Sequence, residues 1–406
     1  MLYWAMVLLI GQLASTDVQE QLSLSAASSS FSQNLYQKLS AKESTIVYSP
    51  FSIHLALTMM LLGAREDTAT EMETTLGISS LGDSVHTVYK ELIQQLTYVN
   101  RIKIHIGNSL YVSSDYQISP KFIEDSTNDY SAKTSSIDFS ANGGAETLIN
   151  DYIAAQTENR IQHFLQTETQ SRDTILVLVN TVLFRGAWQN VFSRSSTKKQ
   201  DFKQASGAVI QVNMMHNTEK NILFKRDVAH GVDVVVLPFQ GKRFCLYIVL
   251  PHKLDGITDL EYLLAQPSKV EGLFSGLSLH LVDLAIPKFR TETALTLKTP
   301  LQEMGMVKAF SRLEANFTGL SHNENLRNSY FITAQVHIGQ VLHRAVIDLQ
   351  EMGNMASTTS FVAVVGEGKD QLYKPKTASF IADHPFVYFL RDNVTGQILF
   401  QGKFSG

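Results

Sequence analysis

The chain has 406 residues, 44% of them hydrophobic and 18% charged, proportions that exclude an intrinsically disordered protein. Lys and Arg number 34 against 38 Asp and Glu, a net charge of −4, which excludes a broadly basic nucleic-acid binder and leaves room only for a local basic patch. With a single cysteine there is no intramolecular disulfide and no zinc site built on cysteine pairs, so a large apolar core must hold the molecule together.

The first residues, MLYWAMVLLIGQLA, are almost wholly apolar and give way to Ser15, Thr16 and the polar DVQEQ. The stretch is shorter than the roughly 20 residues of a membrane span, and its length and small residues suit a secretory signal peptide over 1–15. It lacks the basic residues that usually precede such a core, and the alternative is an apolar helix docked on the fold. The expected location is secreted, extracellular. Two Asn-x-Thr acceptors, Asn316 and Asn393, fit a glycoprotein.

Further along, Phe31, Leu35 and Leu39 recur at helical spacing, and Ser49-Pro50 opens an apolar helix that stops near Gly63. Residues 104–112 and 174–183 read as strands; the second is nearly all apolar and is expected to be buried on both faces. Residues 149–165 carry helical periodicity. From about 205 onward short β runs dominate, ending in a hairpin of 386–390 and 397–404. No linker or repeat interrupts the chain, so one large α+β domain over 22–406 is expected rather than the two or three that length alone allows.

Enzyme signatures are missing: no GxSxG, HExxH, Walker loop or GxGxxG occurs, and the twelve His show no ligand spacing. GEGKD (366–370) does not lead from a strand into a helix and reads as a loop tip. Cys245, inside RFCLYIVLP, reads as a buried, inert thiol. Neither a cofactor nor a metal is implied, and no segment after the first approaches a membrane span.

The segment that carries a mechanism begins at His343. After the apolar VLHRAVIDL and Glu351 comes GNMASTTSFVAVV (353–365), uncharged and free of proline, which then runs into the polar GEGKDQLYKPK. Its residue types suit a strand, yet the connection over 352–379 is longer than compact domains usually carry. It reads either as a core strand followed by a loop or as a spare strand held outside the sheet.

Here the sequence resembles the serpin family. FIADHPFVYFL (380–390) is similar to the family's C-terminal signature, including Asp383, Pro385 and Phe386. YSPFSIHLALTMMLLGA (48–64), INDYIAAQTENRI (149–161), LVNTVLFRGAW (178–188) and VLHRAVIDLQEMG (341–353) resemble family blocks in the same order. The resemblance implies three β-sheets, about nine helices and an exposed reactive loop over about 351–380. It also implies a covalent complex with a serine protease, whose serine attacks the loop; the cleaved loop then enters the main sheet as a strand. The chain itself would have no catalytic residues and would act as a monomer.

The same resemblance assigns residues. Glu351 corresponds to the hinge glutamate, followed by Gly353 and by Asn354, Ala356, Thr358 and Ser360, the alternate positions that must turn into the sheet. Small or apolar side chains suit that entry, but Asn354 and Met355 depart from the family's usual residues, a departure that leaves room for a non-inhibitory carrier, storage protein or chaperone. Ser49, Ser52, Asn180 and His343 match a cluster beneath the opening sheet. Asn180 and His343 interrupt apolar strands, where a buried polar group needs a partner. Trp188 matches the residue where insertion starts, and Lys288 the partner of Glu351, an ion pair expected to be exposed and worth under about 1 kcal/mol.

The reactive bond is read two ways. Counting forward from Glu351 by the family's usual length ends at Glu367–Gly368; counting back from Phe380 gives Lys374–Pro375. Neighbouring Val365–Gly366 would suit an elastase-like target and Lys369–Asp370 a trypsin-like one. For glycosaminoglycans, Arg101, Lys103 and His105 alternate on one face of an extended segment, but the adjacent VHTVYKELIQQL holds one Lys beside one Glu, and a solvated surface is the favoured reading.

Overall fold

The computed structural model describes residues 2–97, 102–140, 144–157, 164–165, 174–321, 336–353 and 376–406. The first half of the chain is mostly helical. α1 (Leu2–Ser40) is followed by the short β1 (Ile46–Tyr48), then α2 (Pro50–Leu61), α3 (Glu66–Leu76) and α4 (Ser84–Thr97). α1 runs without a break through the boundary expected at residue 15, since residues 12–40 contain neither Gly nor Pro to stop it. α2 starts where the sequence asks. Ser49 is extended and its Oγ accepts the Ser52 N–H, while Pro50 occupies the first turn, where no N–H is needed. α3 stops at Gly77, whose φ of 72° is a conformation glycine adopts at no steric cost.

Next come β2 (Ile102–Ser113), α5 (Pro120–Tyr130), β3 (Lys133–Ile137), α6 (Gly144–Gln156) and β4 (Leu176–Gly186). The β-rich half supplies β5 (Lys198–Lys203), β6 (Val209–Asp227), β7 (Val232–Pro238) and β8 (Phe244–Pro251). It continues through α7 (Ile257–Leu264), α8 (Pro267–Leu273), β9 (Ser278–Pro287), β10 (Phe289–Thr296), α9 (Lys298–Glu303) and β11 (Gln340–Leu349). β12 (Lys376–Ile381), β13 (Phe386–Asp392) and β14 (Ile398–Phe404) close the chain. Arg391 and Asp392, expected in the final turn, belong to β13.

The strands form two hydrogen-bonded sheets. The larger runs β1-β14-β13-β8-β7-β6-β9-β12, with β5 also on β6; the smaller runs β10-β11-β4-β2-β3. Two of the three sheets implied by the resemblance are therefore continuous here, because β6 is 19 residues long and serves both. Its first part pairs with β5 and its last part with β7, with a register irregularity between Asn217 and Lys220 where it passes from one arm to the other.

The smaller sheet is covered on both faces, which explains the apolar run of β4. Leu176, Leu178, Val182 and Phe184 turn into the main core; Val177 and Val179 turn the other way, into a second cluster with Ile149 and Ile153 of α6. The period of two along β4 thus sorts its side chains between two apolar environments.

Candidate functional site

One junction in the smaller sheet differs from its neighbours. β11 and β4 run parallel, Gln340–Ala345 against Val177–Val182, whereas β10–β11 and β2–β4 are antiparallel. The ladder stops at Ala345 and Val182, although β11 continues to Leu349 and β4 to Gly186. The parallel ladder therefore covers one end of the seam only.

Across its laced end lies a row of polar side chains. His343, Asn180 and Asn108 stand side by side in register on β11, β4 and β2, all on the core-facing parity. Their hydrogen bonds run in fixed directions. The Ser49 N–H donates to His343 Nε2 (3.0 Å), so the proton sits on Nδ1, which donates to Asn180 Oδ1 (2.7 Å). Ser52 Oγ donates to the same oxygen (2.6 Å), and Asn180 Nδ2 donates to Asn108 Oδ1 (2.7 Å). Burial pushes the His343 pKa down to about 3, so the ring is neutral, as that chain of donors requires. The structure thus brings Ser49, Ser52, Asn180 and His343 together. Asn108 completes the row; its signal, an Asn within IHIGNSLYV, is of the same kind as that of Asn180.

Contacts from the hinge close the other end of the seam. Trp188 Nε1 donates to Gln350 O (2.9 Å), the Trp188 N–H to Met352 O (3.2 Å) and the Phe192 N–H to Glu351 O (2.9 Å). Trp188 is itself fixed by stacking on Phe239, with centroids 4.4 Å apart. Gly353 bridges to Ala187 at φ 101°, and a Cβ there would lie 2.4 Å from Gly186 O, so only glycine fits. None of these backbone partners carries a signal in the sequence.

Lys288 and Glu351 do meet, Nζ to Oε2 at 3.0 Å, but the expectation of an exposed pair is corrected. Glu351 is only 6% exposed, because the turn 350–353 packs against residues 187–192 beyond β4 and sets the carboxylate beside Thr197, whose Oγ1 donates to it (3.1 Å). Burial alone would raise its pKa; its own backbone N–H, Lys288 and Thr197 outweigh that and hold it below the usual carboxylate value.

Asn354, Ala356, Thr358 and Ser360, together with Val365, Gly366, Glu367, Gly368, Lys369, Asp370 and Lys374, lie outside the described residues, as does Arg101. Lys103 and His105 are alternate residues of β2, and Lys90, the one Lys of α4, pairs with Asp129 at 3.0 Å. Asn316 is half-buried, with Thr318 Oγ1 donating to its Oδ1 (2.9 Å) and its own Nδ2 donating to Glu66 Oε2 (3.2 Å). Asn393 is exposed overall, but its amide is engaged: Nδ2 donates to Cys245 Sγ (3.2 Å) and Oδ1 accepts from Tyr247 (2.8 Å). Cys245 is buried in β8, and burial pushes its thiol up to about 11, the state of an unreactive sulfur. Among the described residues there is no group of three or more His, Cys, Asp or Glu that could hold a metal, and no helix is long and apolar enough to cross a membrane.

The family model for serpins, described as serine protease inhibitor, matches residues 26–406. Human serpin B4 is 31% identical over 94% of this chain and 99% of its own length. The leukocyte elastase inhibitor of Sus scrofa is likewise 31% identical over 94% and 99%. Among solved structures, Serpin48 of the insect Tenebrio molitor superposes with a TM-score of 0.83 at 26% identity, over 95% of this chain and 98% of that one. Human thyroxine-binding globulin in complex with its ligand gives 0.84 at 26%, over 95% and 99%.

Proposed function

Because the chain belongs to the serpin family, we propose that it is a secreted, monomeric suicide inhibitor of serine proteases. One observation carries this reading: the parallel seam between β11 and β4, whose ladder covers one end and which, among the described residues, is closed at the other by contacts from the hinge. A strand that turns back from Gly353 at the end of β11 runs antiparallel to β11. Since β4 is parallel to β11, the same strand is antiparallel to β4 as well. It can therefore pair on both edges at once, converting one parallel ladder into two antiparallel ones.

The chemistry belongs to the target. The protease's serine oxygen attacks the carbonyl of the reactive bond, the amine side departs with a proton, and an ester links the two proteins. Insertion of the freed segment then carries the protease away before water cleaves the ester. Ser49, Ser52, Asn180, His343 and Asn108 hold the seam that must part, and Trp188, Lys288 and Glu351 hold the hinge from which it parts. Relatives named as elastase inhibitors favour an elastase-like target at Val365–Gly366; Lys369–Asp370 favours a trypsin-like one.

The test is incubation with elastase-, trypsin- and chymotrypsin-like proteases followed by denaturing gels. The expected outcome is a complex that survives denaturation, and the mass of the released C-terminal fragment identifies the bond. Cleavage of the loop with no such complex would overturn inhibition in favour of a carrier, the reading that similarity to a thyroxine-binding globulin supports. Secretion is tested separately: the exported protein should start near residue 16 and carry glycans at Asn316 and Asn393, and retention of Met1–Ala14 would count against it.

A further inference from the structure

Beside the hinge contacts lies a cavity of about 340 Å³ between β6, β7, β9 and the segment that follows β4. Its size is at the lower end of cavities that hold small organic molecules, about 300–1,000 Å³. Trp188, Phe192, Leu237 and Leu284, all buried, form an apolar floor. At the mouth, Leu223 and Leu279 face each other across the β6–β9 ladder, 40% and 50% exposed, apolar area that a ligand would take out of water.

The polar lining is one-sided in charge. Among the described residues no lining residue is acidic and only Lys242 is charged, and its ammonium makes no ion pair or hydrogen bond with any of them. The amides of Asn190, Asn217 and Asn221 likewise make no side-chain hydrogen bond among the described residues. Aromatic floor, amide wall and a single free cation together select a ligand with a flat apolar body and one negative charge.

We propose that this cavity binds a planar, monoanionic amphiphile, and that its occupancy stabilises the hinge. The connection is direct: Trp188 and Phe192 both line the cavity and hold Gln350, Glu351 and Met352 through their N–H groups. A ligand that fixes the two rings fixes those three contacts and opposes the parting of the seam. The effect on inhibition rests on the inhibitory reading; binding and its effect on the hinge do not.

The experiment uses anilinonaphthalene sulfonate as probe on the full chain, with Trp4→Phe so that Trp188 is the only tryptophan. Saturable binding of one probe per chain, with quenching of Trp188 emission, is expected. Lys242→Asn, which tolerates the positive φ at this position, should weaken binding about tenfold, and Leu279→Asp, at the half-exposed rim, should weaken it further. The uncharged N-phenylnaphthylamine should bind wild type weakly and be indifferent to Lys242→Asn. Hydrogen exchange of the Trp188 and Phe192 amides should slow when the probe is bound. Non-saturable binding, or binding unchanged by both variants, overturns the site; unchanged exchange in the saturated protein overturns the coupling. Neither readout involves a protease, so a failure of inhibition is seen separately.

Discussion

Asn180 accepts two hydrogen bonds and donates a third at the centre of three strands, so its removal strands more than one buried group. Each polar group left unsatisfied costs about 1–3 kcal/mol, and Asn180→Ala is expected to lower the unfolding free energy by roughly 3 kcal/mol or more in urea titrations. Asn108→Ala should cost less, about 1 kcal/mol, because Asn108 Nδ2 has no partner among the described residues to begin with. Equal losses for the two would mean that the row does not act as a directional chain. Acid sensitivity follows from the same buried groups. Burial pushes His343 to about 3 and His54 to about 4, below the ordinary value of 6.5. Between those limits the unfolded chain binds protons that the native state refuses. Their contribution is therefore fully present above about pH 6.5 and is lost as pH falls towards 3–4. Urea midpoints measured from pH 7 to pH 4 should fall, and the fall should be shallower in His54→Gln, which removes one of the two refusals.

At the scale of the element, the hinge is held more firmly than an exposed ion pair would hold it. Lys288→Ala leaves a largely buried carboxylate with Thr197 as its remaining side-chain donor. The expected cost is about 1–2 kcal/mol, above the range for surface pairs, read as faster hydrogen exchange at the Trp188 and Phe192 amides with the lower seam unchanged. Exchange as slow as wild type would return the pair to the surface class. What was legible in the sequence follows the same division. Asn180 and His343 are visible because a polar residue inside an apolar strand has to be paid for by a partner. Asn108 was equally available, but IHIGNSLYV mixes polar and apolar residues and hides it. The Trp188 and Phe192 contacts run through backbone groups, which look the same in every residue, and Thr197 approaches Glu351 from 154 positions away. The parallel register of 340–345 on 177–182 depends on how two distant segments meet, which no local pattern encodes. Continuity of the larger sheet through β6 escaped for a related reason: TEKN breaks the apolar alternation where the strand changes partners.

For the whole molecule, the single cysteine and the half-laced seam have a common sense: no crosslink opposes separation of β11 from β4. An inserted strand would gain a ladder on each side. Taking about ten new bonds at a net 0.5–1.5 kcal/mol each, the gain is of order 10 kcal/mol, enough to raise the melting temperature by about 10 °C or more. Loop-cleaved protein is therefore expected to melt well above the intact form in calorimetry. Thr358→Arg separates insertion from cleavage. Residue 358 belongs to the alternate set that would turn inward, and a guanidinium there would be buried without a partner, at a cost of several kcal/mol. The variant should be cleaved at the wild-type rate, release the protease instead of retaining it, and melt after cleavage near the temperature of the intact protein. A Thr358→Arg variant that still forms the covalent complex, or that gains the same thermal increment on cleavage, would show that the segment does not enter the seam.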